Sequence, residues 1–197
     1  MDRIEPSGNA VSLAMPEELE TNAKNELTAS SVTATLTQVV LPMGLVIDEV
    51  TFSGNAITVQ MNPLDIRAPH PATVVATVKL TSLDRYLETD APGGLKNFHC
   101  EGEDGWLYVN ATKKVIFELA VKAKCRVSIR DQKELWVDLA SVEVMGGASV
   151  TNLVQSQLAN LNPLFSVAEL PIVARLTHAE VGTDQIVIRL EVGPPNA

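Results

Sequence analysis

With 197 residues, 46% of them hydrophobic, the chain has material for one substantial packed domain. Only 4% are aromatic, which argues against stacking platforms for single-stranded nucleic acid, and a formal charge of −9 argues against a duplex-binding surface. Nucleic acid is therefore not expected as a partner, and overall charge does not draw the chain to anionic membranes.

Residues 1–15 read as a flexible N-terminal arm. They lack the basic and apolar regions of a signal peptide, and no run reaches the roughly 18 apolar residues of a membrane-spanning helix. The expected location is cytoplasmic or peripheral to a membrane, although a chain that had lost a leader would read the same. Residues 16–197 are expected to form a single α+β domain. Pro16 and the acidic residues after it suggest a helix start, with Leu19, Ala23 and Leu27 as a thin apolar stripe. That helix is extended through "SVTATLTQVV", although the Thr and Val content also permits a strand.

"GLVIDEVTF" and "NAITVQMN" then read as a hairpin about "SGN". "PATVVATVKL" is a strand with Val74, Ala76, Val78 and Leu80 in phase. It leads into a short helix with Thr81 or Ser82 as its cap and Leu83, Tyr86 and Leu87 as its apolar face. "LKNFHCE" and "WLYVN" flank the turn "GEDG". In "KVIFELAVKAKCRVSIR" the odd positions from Val115 to Ile129 are apolar, while Glu118, Lys122, Lys124, Arg126 and Arg130 fall on the other phase. A strand of that length should twist and coil. The following "ELWVDLASVEVMGG" switches its apolar phase after Leu139, which predicts a bulge. Residues 149–161 form the best helix, with Val150, Leu153, Val154, Leu158 and Leu161 on one stripe. A closing pair of strands follows "NPLFSVAELP".

Residues 41–61 and 170–190 align without a gap. Leu-Pro opens both segments, and Ile57 meets Ile186 while Met61 meets Leu190. The alignment suggests similar helix-hairpin units at the two ends of the chain, with chance likeness between hairpins as the competing explanation.

No nucleophile elbow, phosphate loop or dinucleotide fingerprint occurs, so no catalytic residue is assigned. His70, His99 and His178 lack metal-ligand spacing, and neither a metal nor a cofactor is expected. The glycines of "MGGASV" suit strand-to-helix turning, with an anion contact as the minor reading. Whether Cys100 and Cys125 pair is not legible from sequence. Trp136, out of phase with Leu135 and Val137, is expected to pack on the second face of the sheet, with interfacial anchoring as the alternative.

Three segments resemble the LmeA-like family of phospholipid-binding proteins: "VKLTSLDRYLE", "VSIRDQKELWVDLASVEVMGG" and "NPLFSVAELPIVARLTHAEVGTDQIVIRL", within residues 45 to 192 or so. The resemblance implies a TULIP-like half-tube, in which a long, strongly curved antiparallel sheet wraps one or more helices. It further implies a non-enzymatic protein that binds or transfers phospholipid through an apolar groove. Leu153, Leu158, Leu161 and Phe165, with inward strand residues Phe117 and Leu119, are the candidate groove walls, each equally explicable as core. The expected partner is lipid or, transiently, a membrane surface. The alternative is an assembly factor that binds a protein partner and fills the groove with its own side chains.

Overall fold

The computed structural model describes residues 11–14, 19–22, 26–41, 44–61, 64–67, 70–89, 94–114, 118–144, 152, 154–155, 158–159, 162–169 and 173–193. In chain order the strands are β1 (Val11–Ala14), β2 (Leu19–Asn22), β3 (Glu26–Val40), β4 (Val46–Met61), β5 (Leu64–Arg67) and β6 (Ala72–Lys79). Helix α1 (Leu80–Thr89) follows, then β7 (Leu95–Glu103), β8 (Trp106–Lys114), β9 (Glu118–Arg130), β10 (Glu134–Val144), β11 (Phe165–Ser166), β12 (Ala174–Val181) and β13 (Gln185–Val192). All strand pairs are antiparallel. The larger sheet runs β1-β3-β4-β6-β13-β12, with β2 on β3 and β5 on β4; the smaller runs β11-β10-β9-β8-β7. The fold is α+β, built mostly of antiparallel sheet that curls until both sheets face one apolar interior.

Strand phase accounts for most of this. In β6, Ala76 and Val78 are buried and Val74 partly so, all on the interior face; Val75 and Thr77 take the other phase. In β9, Val121, Ala123 and Cys125 are buried while Lys122 and Arg126 are exposed. The β7–β8 turn uses Asp104 and Gly105 at φ of 50° and 76°, and the β9–β10 turn uses Asp131 and Gln132 at 51° and 55°; these are the positive-φ pairs that tight hairpins require. The expected bulge occurs in β10: Leu139 pairs with Cys125, but Ser141 pairs with Lys124, which leaves Ala140 extra.

Four expectations need correction. The helix from Pro16 onward is not formed: residues 19–22 and 26–40 are β2 and β3. The β-branched residues of "SVTATLTQVV" and a partner strand along its whole length outweigh the helix-start signals. The hairpin about "SGN" is likewise absent, because Ser53, Gly54 and Asn55 lie mid-strand in β4, paired with Thr33, Val32 and Ser31. β4 runs on through Ala56, which takes a left-handed φ of 51°. The supposed repeat therefore pairs a single strand with a true hairpin, β12–β13, and residues 41–61 do not form a hairpin unit. Last, residues 11–14 of the expected arm pair with β3 as β1.

Helix α1 forms as expected, with Leu83 and Tyr86 buried, and its start is braced by groups distant in sequence. The Asp48 carboxylate of β4 accepts the Lys79 amide at 2.8 Å and the Ser82 hydroxyl at 3.1 Å. Farther along α1, Asp84 accepts the Cys100 amide at 2.7 Å, and Glu88 accepts those of Asn97 and Phe98 at 3.2 and 3.1 Å. Two carboxylates one turn apart thus occupy outward N–H groups of edge strand β7 and dock the helix against the smaller sheet.

Candidate lipid-binding cavity

The two sheets meet near their turns. Gly102 of β7 meets Gly182 of the β12–β13 turn so tightly that a Cβ on Gly102 would lie 1.7 Å from the Gly182 carbonyl oxygen. The Leu176 amide donates to the Gln132 carbonyl at 2.7 Å and ties β12 to the β9–β10 turn. The facing surfaces leave a cavity of about 280 Å³.

Its wall is apolar throughout. The larger sheet contributes Val50, Val74, Ala76, Val78, Ile186, Ile188 and Leu190; the smaller contributes Leu107, Val109, Cys125, Val127, Leu135 and Val137. Leu83, Tyr86 and Leu87 of α1 line one side, and Val39, Leu41, Leu45 and Ile47 line the end near the β3–β4 connection. An apolar cavity of this kind holds water poorly and accepts hydrocarbon.

"NPLF" has a structural job here. The Asn162 side chain donates to the Val137 carbonyl at 2.8 Å and accepts the Val137 amide at 2.9 Å, so one amide imitates a neighbouring strand along β10. The Leu164 amide donates to the Leu135 carbonyl at 2.9 Å, and Phe165 pairs with Leu135 in β11. Leu164 and Phe165 are thereby laid into the cavity wall. The Asn162–Pro163 peptide bond is cis.

Of the six candidate wall residues, Leu158 and Phe165 line the cavity. Leu119 is half-buried in β9 and does not line it. Phe117, Leu153 and Leu161 lie outside the described residues, as does the glycine turn of "MGGASV". Within the expected helix 149–161, Asn152, Val154, Gln155, Leu158 and Ala159 are described, all helical, with Val154 buried. The candidate list missed the apolar face of α1 and the inward phase of β6. Both were visible as periodicity, but nothing in one strand's pattern says whether its buried face meets side chains or a void.

Cys100 and Cys125 are free and buried. Desolvation pushes the Cys125 thiol up to about 12. Burial, reinforced by a hydrogen bond to Asp84, raises that of Cys100 further still. Both are therefore neutral and unreactive near pH 7. His99 lies 3.7 Å from Asp84 and 3.4 Å from Glu101 on the exposed surface, and His178 lies 3.4 Å from Glu180. Among the described residues no three His, Cys, Asp or Glu side chains are grouped to hold a metal, and no helix is long and apolar enough to cross a membrane.

The model of the family described as LmeA-like phospholipid-binding matches residues 28–191. The chain belongs to the LmeA-like phospholipid-binding family. The match opens in β3 and closes in β13, so the elements that form the cavity lie inside the family region. Family membership supports lipid as a partner. No curated protein and no solved structure matches the chain.

Proposed function

We propose that the cavity accommodates a phospholipid acyl chain and that the protein binds or transfers lipid without acting on it chemically. The observation that carries this reading is a wholly apolar cavity walled by both sheets in a member of a phospholipid-binding family. A carbon of an acyl chain takes about the room of a water molecule, roughly 30 Å³, so the space suits on the order of nine methylenes. Moving nine methylenes out of water is worth about 7 kcal/mol before the costs of association. The same move out of a bilayer gains almost nothing, because lipid tails are already apolar. That balance favours exchange between protein and membrane over net extraction.

The test is native mass spectrometry of protein purified from its source, followed by lipid extraction. A phospholipid bound in fixed stoichiometry supports the reading. Protein that carries no lipid, and takes none from phosphatidylcholine vesicles, refutes it; a stoichiometric protein partner in place of lipid would favour the assembly alternative.

A further inference from the structure

Cross-strand partners share a face of a sheet, so strand register traces rows of side chains across the cavity face of the larger sheet. One row runs from β13 to β3 through Ile188, Ala76, Val50 and Leu36. Ile188 and Ala76 are buried, Val50 is half-buried, and Leu36 is 36% exposed. The next row, Leu190, Val74, Phe52 and Ala34, starts buried at Leu190 and is half-buried over the rest. Val50 lines the cavity and Leu36, beside it on the same face, does not. The inner face of the sheet therefore loses its cover toward β3 and continues past the cavity as an apolar shelf. The cavity opens on that side.

No described residue lining the cavity carries a charge. The polar side-chain atoms among them are the Tyr86 hydroxyl and the buried, neutral Cys125 thiol. A phosphate or carboxylate drawn inside would lose its hydration and meet no cation. A lipid can therefore enter only tail first. At about 30 Å³ per carbon, the 280 Å³ present holds roughly nine carbons. One tail of a bilayer lipid reaches across about 15 Å, half of the hydrocarbon core, and already overfills that space. A second tail has no room.

Taking the cavity as a lipid site, as above, we propose that it admits a single acyl tail, methyl end first, from its β3 side, and leaves the headgroup and any second tail outside. The ligand class that follows is a one-tail or two-tail amphiphile, selected by the length of one tail and not by its headgroup. Each methylene gains affinity until the space is full. Carbons beyond that point rest on the shelf or in the membrane and gain far less.

Titration of the delipidated full chain with lysophosphatidylcholines of about six to fourteen tail carbons, below their micelle concentrations, tests this. Affinity should tighten about fourfold per methylene and break off near nine carbons. Lysophosphatidylglycerol of the same tail should bind equally, and dioctanoylphosphatidylcholine should bind about as tightly as its one-tailed counterpart. Ala76→Leu should move the break about three carbons shorter and Ile188→Ala about three carbons longer, shifts that a loss of folded protein cannot mimic. Leu36→Asp, which sets a hydrated carboxylate on the shelf, should slow uptake and leave the break in place. Affinity that keeps climbing past about twelve carbons, a large gain from the second tail, a break that ignores both cavity substitutions, or uptake indifferent to Leu36→Asp overturns the proposal while lipid binding stands. No binding at any tail length refutes the cavity reading itself.

Discussion

Replacing Ala76 with leucine puts three extra carbons into the middle of the cavity. Ala76 is 6% exposed and sits between Val50 and Ile188, its partners on β4 and β13, both of which also line the cavity. At roughly 30 Å³ per carbon the new side chain takes about 90 Å³. That is about a third of the 280 Å³ present. Displacing three methylenes of a bound chain, at about 0.8 kcal/mol each, predicts a loss of about 2.4 kcal/mol, or roughly 60-fold in affinity. The delipidated protein should keep or gain stability, because the added carbons find contacts where there were none. The assay pairs titration with a single-chain phospholipid, read by native mass spectrometry, with urea unfolding of the delipidated protein. If Ala76→Leu destabilises by the 1–3 kcal/mol typical of an overfilled core while lipid uptake is unchanged, the void is not where lipid sits and the reasoning fails.

Gly102→Ala should cost at least about 3 kcal/mol in chemical denaturation, because its Cβ would collide with backbone at the Gly182 carbonyl. Asn162→Ala should cost about 1–3 kcal/mol, since it strips partners from both the amide and the carbonyl of Val137; circular dichroism during urea unfolding measures this. The native thiols should resist an aromatic disulfide reagent at pH 8 and react fully once unfolded. Because burial holds the Cys125 thiol neutral to about pH 12 when folded, whereas an exposed thiol ionises at its ordinary value of 9.0, its stabilising share should be intact below pH 9 and fall as pH rises toward 12. Cys125→Val should flatten that alkaline loss.

Strong local patterns translated directly into structure. The alternation from Val121 to Arg130 became β9 with its two faces as read, and the phase switch after Leu139 became the bulge at Ala140. The run from "VKLTSLDRYLE" became the end of β6 and α1, since a period-two pattern gives way there to a helical one. Errors fell where a local signal met a distant partner. "SGN" has turn chemistry, yet β3 offers hydrogen bonds across it, and a paired strand outweighs a turn preference worth far less than the ladder. The start of α1 was sought in Thr81 or Ser82, but Ser82 lies inside the helix and its hydroxyl donates to Asp48, some thirty residues upstream.

From sequence alone came the α+β class, the two-faced strands, the helix after β6 and the likeness to a phospholipid-binding family. Each rests on residues close together in the chain, where the periods of helix and strand leave a visible trace. Tertiary structure alone decided that the inner faces stand apart over about 280 Å³, that Leu158 and Phe165 reach that space, and that Trp106 and Tyr108 lie beneath the β9 cations. A buried phase has the same residue pattern whether it meets side chains or a void. That distinction depends on the spacing of two sheets held by the Gly102–Gly182 contact and the Leu176–Gln132 hydrogen bond, between residues far apart in the chain.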